Sequence, residues 1–292
     1  MNLWQEYFRP TTVSQALTAL KNPPGPAMPI AGGTDLILDL QQGRHAPVHT
    51  LVDLTSVEEM TTLEARGDEV FIGAAVPISR IVLHPLVRTH ARALVEAADL
   101  IGGPQVRNMA TLGGNVAHAL PAGDGTIALT ALDVQAEVAD ALGTRRVPFA
   151  SLFAGPGKST LRAGEELVVG FWMRQIKKGQ ASCFKRIMRP QGVALPILNC
   201  AVWLERAEDT ISDIRIAIGP GGPTPFRATE AENVLQGEKC VDEPICRAAK
   251  ALLAQAHFRS SPQRASADYR KHISTGLFEN TLRVAWDRAG ED

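Results

Sequence analysis

The sequence is poor in the groups that hold metals or cross membranes. Its 292 residues include four cysteines, Cys183, Cys200, Cys240 and Cys246, and no two of them form a CxxC pair. That spacing argues against a metal-ligand set and for buried free thiols in a reducing compartment. No apolar run approaches the roughly eighteen residues that a membrane-crossing helix needs. The opening Met1 to Pro10 mixes Glu6 and Arg9 with aromatics, so it lacks the continuous apolar stretch of a signal peptide. Charge excess is missing as well: 30 Lys and Arg stand against 31 Asp and Glu, a net charge of −1. The cations are scattered, which leaves no nucleic-acid footprint. The GxGxxG dinucleotide fingerprint is absent, and so are internal repeats and low-complexity tails. These absences lead us to expect a soluble, cytoplasmic protein, long enough for two or three domains.

What is present is two glycine-paired stretches. The first is Pro29-Ile30-Ala31-Gly32-Gly33-Thr34-Asp35-Leu36, where a short apolar approach ends in two glycines and a small polar pair. The second is Thr111-Leu112-Gly113-Gly114-Asn115, reading on to His118, Pro121 and Asp124. A lone Gly-Gly pair is most often a turn. As a pair of loops they also fit a phosphate cradle, because glycine reaches backbone angles closed to other residues and lets successive N–H groups converge on an anion. Strand, tight turn and helix start are expected across Ile30 to Leu36, which would also aim a helix N-terminus at the ligand.

With these loops in this order, the chain resembles the FAD-binding medium subunit of the molybdenum hydroxylases, the carbon monoxide dehydrogenase, xanthine dehydrogenase and aldehyde oxidoreductase type. The resemblance runs from Tyr7-Phe8-Arg9-Pro10 through Val52-Asp53-Leu54, Ile72-Gly73-Ala74 and Val106 to Thr111, and ends at Ala267-Asp268-Tyr269-Arg270-Lys271-His272. It implies noncovalent FAD contacted by Ile30, Ala31, Gly32, Gly33, Thr34, Asp35 and Leu36 and by Thr111, Gly113, Gly114 and Asn115. Asp124 matches an FAD-contacting aspartate, for which a surface-loop residue is the plainer reading. Ile101 matches a residue packed on the flavin, and ordinary helix core explains it as well. Lys185 matches a cofactor-contacting lysine, against a solvated strand lysine, and Val168 adds backbone contacts. For His118 a structural role outweighs proton transfer. Arg186, Arg189 and Pro190 fall in a basic loop whose continuation, Gln191-Gly192, departs from the usual acidic one.

The resemblance also implies partners. A large molybdopterin-binding subunit would oxidise substrate, and a small subunit with 2Fe–2S clusters would pass electrons to this FAD and on to an external acceptor. The assembly would be a heterotrimer, alone or doubled. No Cys-rich insertion for an extra cluster is visible. Two rivals remain: a self-contained flavin oxidoreductase, and a non-catalytic nucleotide-binding scaffold.

The expected fold class is α+β: a PCMH-type FAD-binding fold in two parts, followed by a third domain. Residues 1–57 form a small β-α-β layer, with a helix over 12–21 opened by a Thr12/Gln15 capping box. Residues 58–176 carry a hairpin around Gly67, helices over 78–82 and 86–101, and an antiparallel sheet. Residues 177–288 hold a three-stranded antiparallel sheet and helices at 229–236, 243–256, 262–275 and 278–288. Thr229 with Glu232 reads as a second capping box, and Ser261-Pro262 as a helix start.

Overall fold

The computed structural model describes residues 2–189 and 195–291. The basic-loop residues Pro190, Gln191 and Gly192 lie outside them.

The first layer contains β1 (Glu6–Phe8), α1 (Val13–Lys21), β2 (Ala27–Ile30), α2 (Leu36–Gln41) and β3 (Thr50–Asp53). The strands are all parallel in the order β1-β3-β2. At the start of α1, Thr12 Oγ1 accepts the Gln15 amide at 3.3 Å. Gln15 reaches back to the Thr11 amide at 2.9 Å, one residue earlier than a strict capping box. Strand β1 is three exposed residues, too short to show a periodicity. Its place is fixed from outside the strand, as Tyr7 Oη donates to Asp53 Oδ2 at 2.9 Å and Arg9 pairs with the same oxygen.

The second part runs through α3 (Glu58–Thr61), the hairpin β4 (Leu63–Arg66) and β5 (Glu69–Gly73), and six short helices. These are α4 (Ile78–Leu83), α5 (Pro85–His90), α6 (Arg92–Asp99), α7 (Pro104–Met109), α8 (Leu112–Ala117) and α9 (Asp124–Ala131). Strands β6 (Gln135–Asp140), β7 (Gly143–Pro148), β8 (Phe153–Gly155), β9 (Lys158–Ser159) and β10 (Leu167–Arg174) follow. A five-stranded antiparallel sheet results, in the order β4-β5-β10-β6-β7.

The single helix expected over 86–101 is broken at Ala91, where φ is −142° and ψ 55°. No glycine or proline causes the break; tertiary bonding does. The Ala93 amide, freed at the new helix start, donates to Ser182 Oγ at 3.1 Å. Leu94, Ala97 and Ala98 then face the core as expected. All eight residues of α9 are buried, so this helix runs through the centre of the molecule.

The C-terminal part opens with β11 (Gln180–Met188), β12 (Pro196–Ala207), β13 (Thr210–Gly219) and the two-residue β14 (Phe226–Arg227). They form one antiparallel sheet in that order, the expected three strands plus a short fourth. Helices α10 (Thr229–Leu235), α11 (Asp242–Gln255) and α12 (Ala267–Ala289) cover one face.

Three sequence expectations are corrected here. Thr229 does not cap α10: its hydroxyl accepts from Gln255, and Glu232 is taken by the Ile216 amide and Arg227. Ser261-Pro262 does not start a helix either. Ser266 caps α12 by accepting the Tyr269 amide, and one helix of 23 residues replaces the expected two. Finally, the cysteines do not share one environment, since Cys183 and Cys200 are buried whereas Cys240 is half-buried and Cys246 exposed.

Candidate functional site

The first glycine loop leaves β2 after the buried Ile30 and turns through Gly33, whose φ of +66° only glycine adopts without strain. Gly32 serves a different need. A Cβ there would overlap the Met109 carbonyl oxygen and crowd Ala110, so the loop lies directly on the chain that leads into Thr111. The structure thus brings the two glycine stretches together. Among the described residues, the amides of Gly32, Gly33, Thr34 and Asp35 donate to no protein acceptor, and the Thr34 hydroxyl is equally uncommitted. Four successive N–H groups at one partly exposed turn suit an anion. With only six residues, α2 adds little dipole.

The second loop differs from the amide cradle expected of it. Thr111 caps α8, its Oγ1 accepting the Gly114 amide at 3.1 Å. The Gly113 amide donates to Ala74 O at 2.8 Å, the Leu112 amide to Val76 O and the Asn115 amide to Thr111 O. Ala74 donates in turn to Val169 O, which ties the loop to β10 beside Val168. Gly113 is needed because a Cβ would sit 2.6 Å from Ala74 Cβ. The amides of Leu112 to Asn115 are therefore spent inside the protein. The side chain of Asn115 remains: its Oδ1 is buried without a partner among the described residues, close to Gly123 and Gly125. Exposed Gly114 stands beside it.

Asp124 is no surface-loop residue, because it begins α9 and is 5% exposed. Its Oδ2 accepts Arg186 Nη1 at 2.5 Å and its Oδ1 accepts Asn199 Nδ2 at 2.7 Å. Burial pushes the Asp124 carboxyl above its ordinary range, and Arg186 and Asn199 oppose that push. The two partners sit directly opposite each other on β11 and β12. Sequence reasoning placed Arg186 in a basic loop and passed over Asn199. The available signal was a lone Asn inside the apolar run from Pro196 to Leu204, since a buried strand amide needs partners.

Other expected residues are dispersed. Ile101 is partly buried after α6 and packs on the main core, as does Val168 on β10. The Lys185 ammonium forms no hydrogen bond or ion pair among the described residues, its backbone being paired with Cys200 in the sheet. Strand alternation puts it on the face shared with Cys183, whereas Arg186 turns to Asp124. His118 is exposed at the end of α8, and Arg189 donates to Arg264 O. A groove of about 820 Å³ lies between α1 and the β6–β7 hairpin, with no residue of either glycine loop in its lining.

Two adjoining glycine loops on a small parallel layer and an antiparallel sheet, followed by a sheet-and-helix unit, are the frame on which an anionic ligand can be held. Residues 3–172 match the family described as the FAD binding domain in molybdopterin dehydrogenase. Residues 182–285 match the CO dehydrogenase flavoprotein C-terminal domain. The chain belongs to this family of FAD-binding, oxidoreductase subunits. It is 33% identical to the nicotine 6-hydroxylase medium subunit of Paenarthrobacter nicotinovorans, over 97% of each chain. It is 29% identical to the xanthine dehydrogenase FAD-binding subunit of Escherichia coli O157:H7, again over 97% of each. In structure it resembles carbon monoxide dehydrogenase from Hydrogenophaga pseudoflava, with a TM-score of 0.90 and 29% identity, covering 97% of this chain and 98% of that one.

Proposed function

We propose that the chain is the FAD-carrying electron-transfer subunit of a multi-subunit molybdenum hydroxylase. The observation that carries the reading is the turn from Gly32 to Asp35, four amides without an acceptor among the described residues, pressed against the approach to the second loop. In this reading the amides of Gly32 to Asp35 and the Thr34 hydroxyl hold the pyrophosphate, with Ala31, Ile30 and Leu36 shaping the turn. Asn115, with Thr111, Gly113 and Gly114 fixing it, offers its side-chain carboxamide to the other side of the dinucleotide. Ile101, Val168, Lys185 and Asp124 are assigned to the cofactor's surroundings.

FAD supplies the redox chemistry when bound: it takes up electrons and releases them to an acceptor. The protein binds, orients and shields it. Electrons would arrive from the 2Fe–2S clusters of a small partner, after substrate oxidation on a large molybdopterin-binding partner, and leave to an external acceptor in the cytoplasm. Several relatives are named as medium chains or as a subunit of a complex, which supports partners here. The division at residues 57 and 176 is the proposed domain plan, the last unit being the C-terminal α+β domain.

The test is anaerobic reduction of the FAD-loaded chain. Dithionite should bleach the flavin bands, and aldehyde or N-heterocycle substrates should leave them unchanged. Bleaching by such a substrate in the absence of partners would contradict the reading.

A further inference from the structure

Arg186 and Asn199 belong to the C-terminal sheet, yet their side chains end on the segment that follows the second glycine loop. Both members of the Arg186–Asp124 pair have side chains 5% exposed, and Asn199 is fully buried. Asn199 Nδ2 is shared between Asp124 Oδ1 and the Ala122 carbonyl, the latter at 3.1 Å. The held segment Ala122–Asp124 meets the loop through Asn115. A Cβ on Gly125 would come within 2.8 Å of Asn115 Oδ1, and one on Gly123 within 3.4 Å. Hydrogen-bonding capacity remains around this contact, since Arg186 Nε, Asn199 Oδ1, Thr126 Oγ1 and Asn115 Oδ1 are buried and have no partner among the described residues. Side chains with spare capacity in a buried network have alternative arrangements open to them, so the pair that is made decides which one holds.

We propose that Arg186 is a positioning residue: with Asn199 it fixes Ala122–Asp124 beneath Asn115, so that docking of the C-terminal sheet sets how tightly the glycine loops hold FAD. This rests on the FAD reading above. Coupling of this kind is reciprocal, and FAD in turn strengthens the grip of the C-terminal sheet.

The test compares wild type with Arg186→Met, Arg186→Lys, Asp124→Asn and the Arg186→Met/Asp124→Asn double variant. Leu252→Ala, a core residue of α11 that is 0% exposed, serves as a comparator that destabilises the same C-terminal unit away from the latch of Arg186, Asn199 and Asp124. For each, the FAD dissociation constant, the melting temperature of the apoprotein and amide exchange at Gly113–Asn115 are measured. Arg186→Met should weaken FAD by about tenfold or more and speed exchange at Gly113–Asn115 in the apoprotein. Arg186→Lys should recover part of both, and the double variant should lose little more than the single. Leu252→Ala, with an equal or larger fall in melting temperature, should move neither readout comparably. If Arg186→Met does not fold, Arg186→Lys and Asp124→Asn carry the same comparison. Unchanged affinity and exchange in the latch variants would overturn the proposal, as would losses that merely follow melting temperature across all variants. If wild type binds no FAD, the functional reading fails instead, while the exchange data still judge the latch.

Discussion

Gly32 lies so close to the Met109 carbonyl that no Cβ fits between them. This contact fastens the first glycine loop to the approach of the second. Gly32→Ala must therefore shift one loop from the other, since the obstacle is backbone and cannot rotate aside. FAD affinity should fall by about a hundredfold, of the order expected when about 3 kcal/mol of misfit is placed in a packed site. Fluorescence quenching on titration with FAD checks this.

Gly276 gives the opposite result for the same substitution. It is an exposed residue inside α12, and a Cβ there meets nothing within 4 Å. Gly276→Ala should stabilise the protein by about 0.5–1 kcal/mol and leave FAD affinity unchanged. Chemical denaturation of the two proteins measures the difference.

How much of this was legible in the sequence differs from place to place, for physical reasons. The cap at Thr12 and the glycine turns were readable because their partners are three or four residues away. The cap at Ser266 was missed because Ser261-Pro262 offers a stronger local start signal, and packing on the C-terminal sheet carries one helix across the break expected between 275 and 278. The break at Ala91 has no local cause, since the Ser182 hydroxyl that satisfies the freed amide is far along the chain. The Arg186–Asp124 pair was hidden for the same reason. The loops themselves were foreseen, but the commitment of the second loop's amides to Ala74, Val76 and Thr111 was not.

Arg270 is 1% exposed and donates to two backbone carbonyls, Ile197 O at 3.0 Å and Arg259 O. Removing it leaves two acceptors unpaired and a cavity under α12. Arg270→Ala should cost about 3 kcal/mol or more, read as a lower denaturation midpoint.

Glu166 sets a pH dependence. The Arg162 backbone N–H, with the Arg145 and Arg162 guanidinium groups, holds its carboxyl down at about 2, and burial opposes them. The folded value is below the ordinary 4.5, so the stabilisation is present above that value and is lost as pH falls from 4.5 toward about 2. Glu166→Gln should be less stable than wild type at neutral pH, with the gap closing through that window. Melting temperatures across the acid range measure it.

The thiols should separate by burial. Cys183 and Cys200 are pushed up to about 12, and Cys240 to about 11, in each case chiefly by burial. Iodoacetamide should label exposed Cys246 in the native protein and reach Cys183 and Cys200 only after unfolding. Mass spectrometry of the digested protein locates the adducts.

The most direct measurement of the central claim is the visible absorption spectrum of the chain purified alone and supplied with FAD. The account predicts oxidised-flavin bands that stay with the protein through gel filtration and, on acid treatment, release a chromophore that is FAD. A protein that remains colourless after added FAD would contradict it.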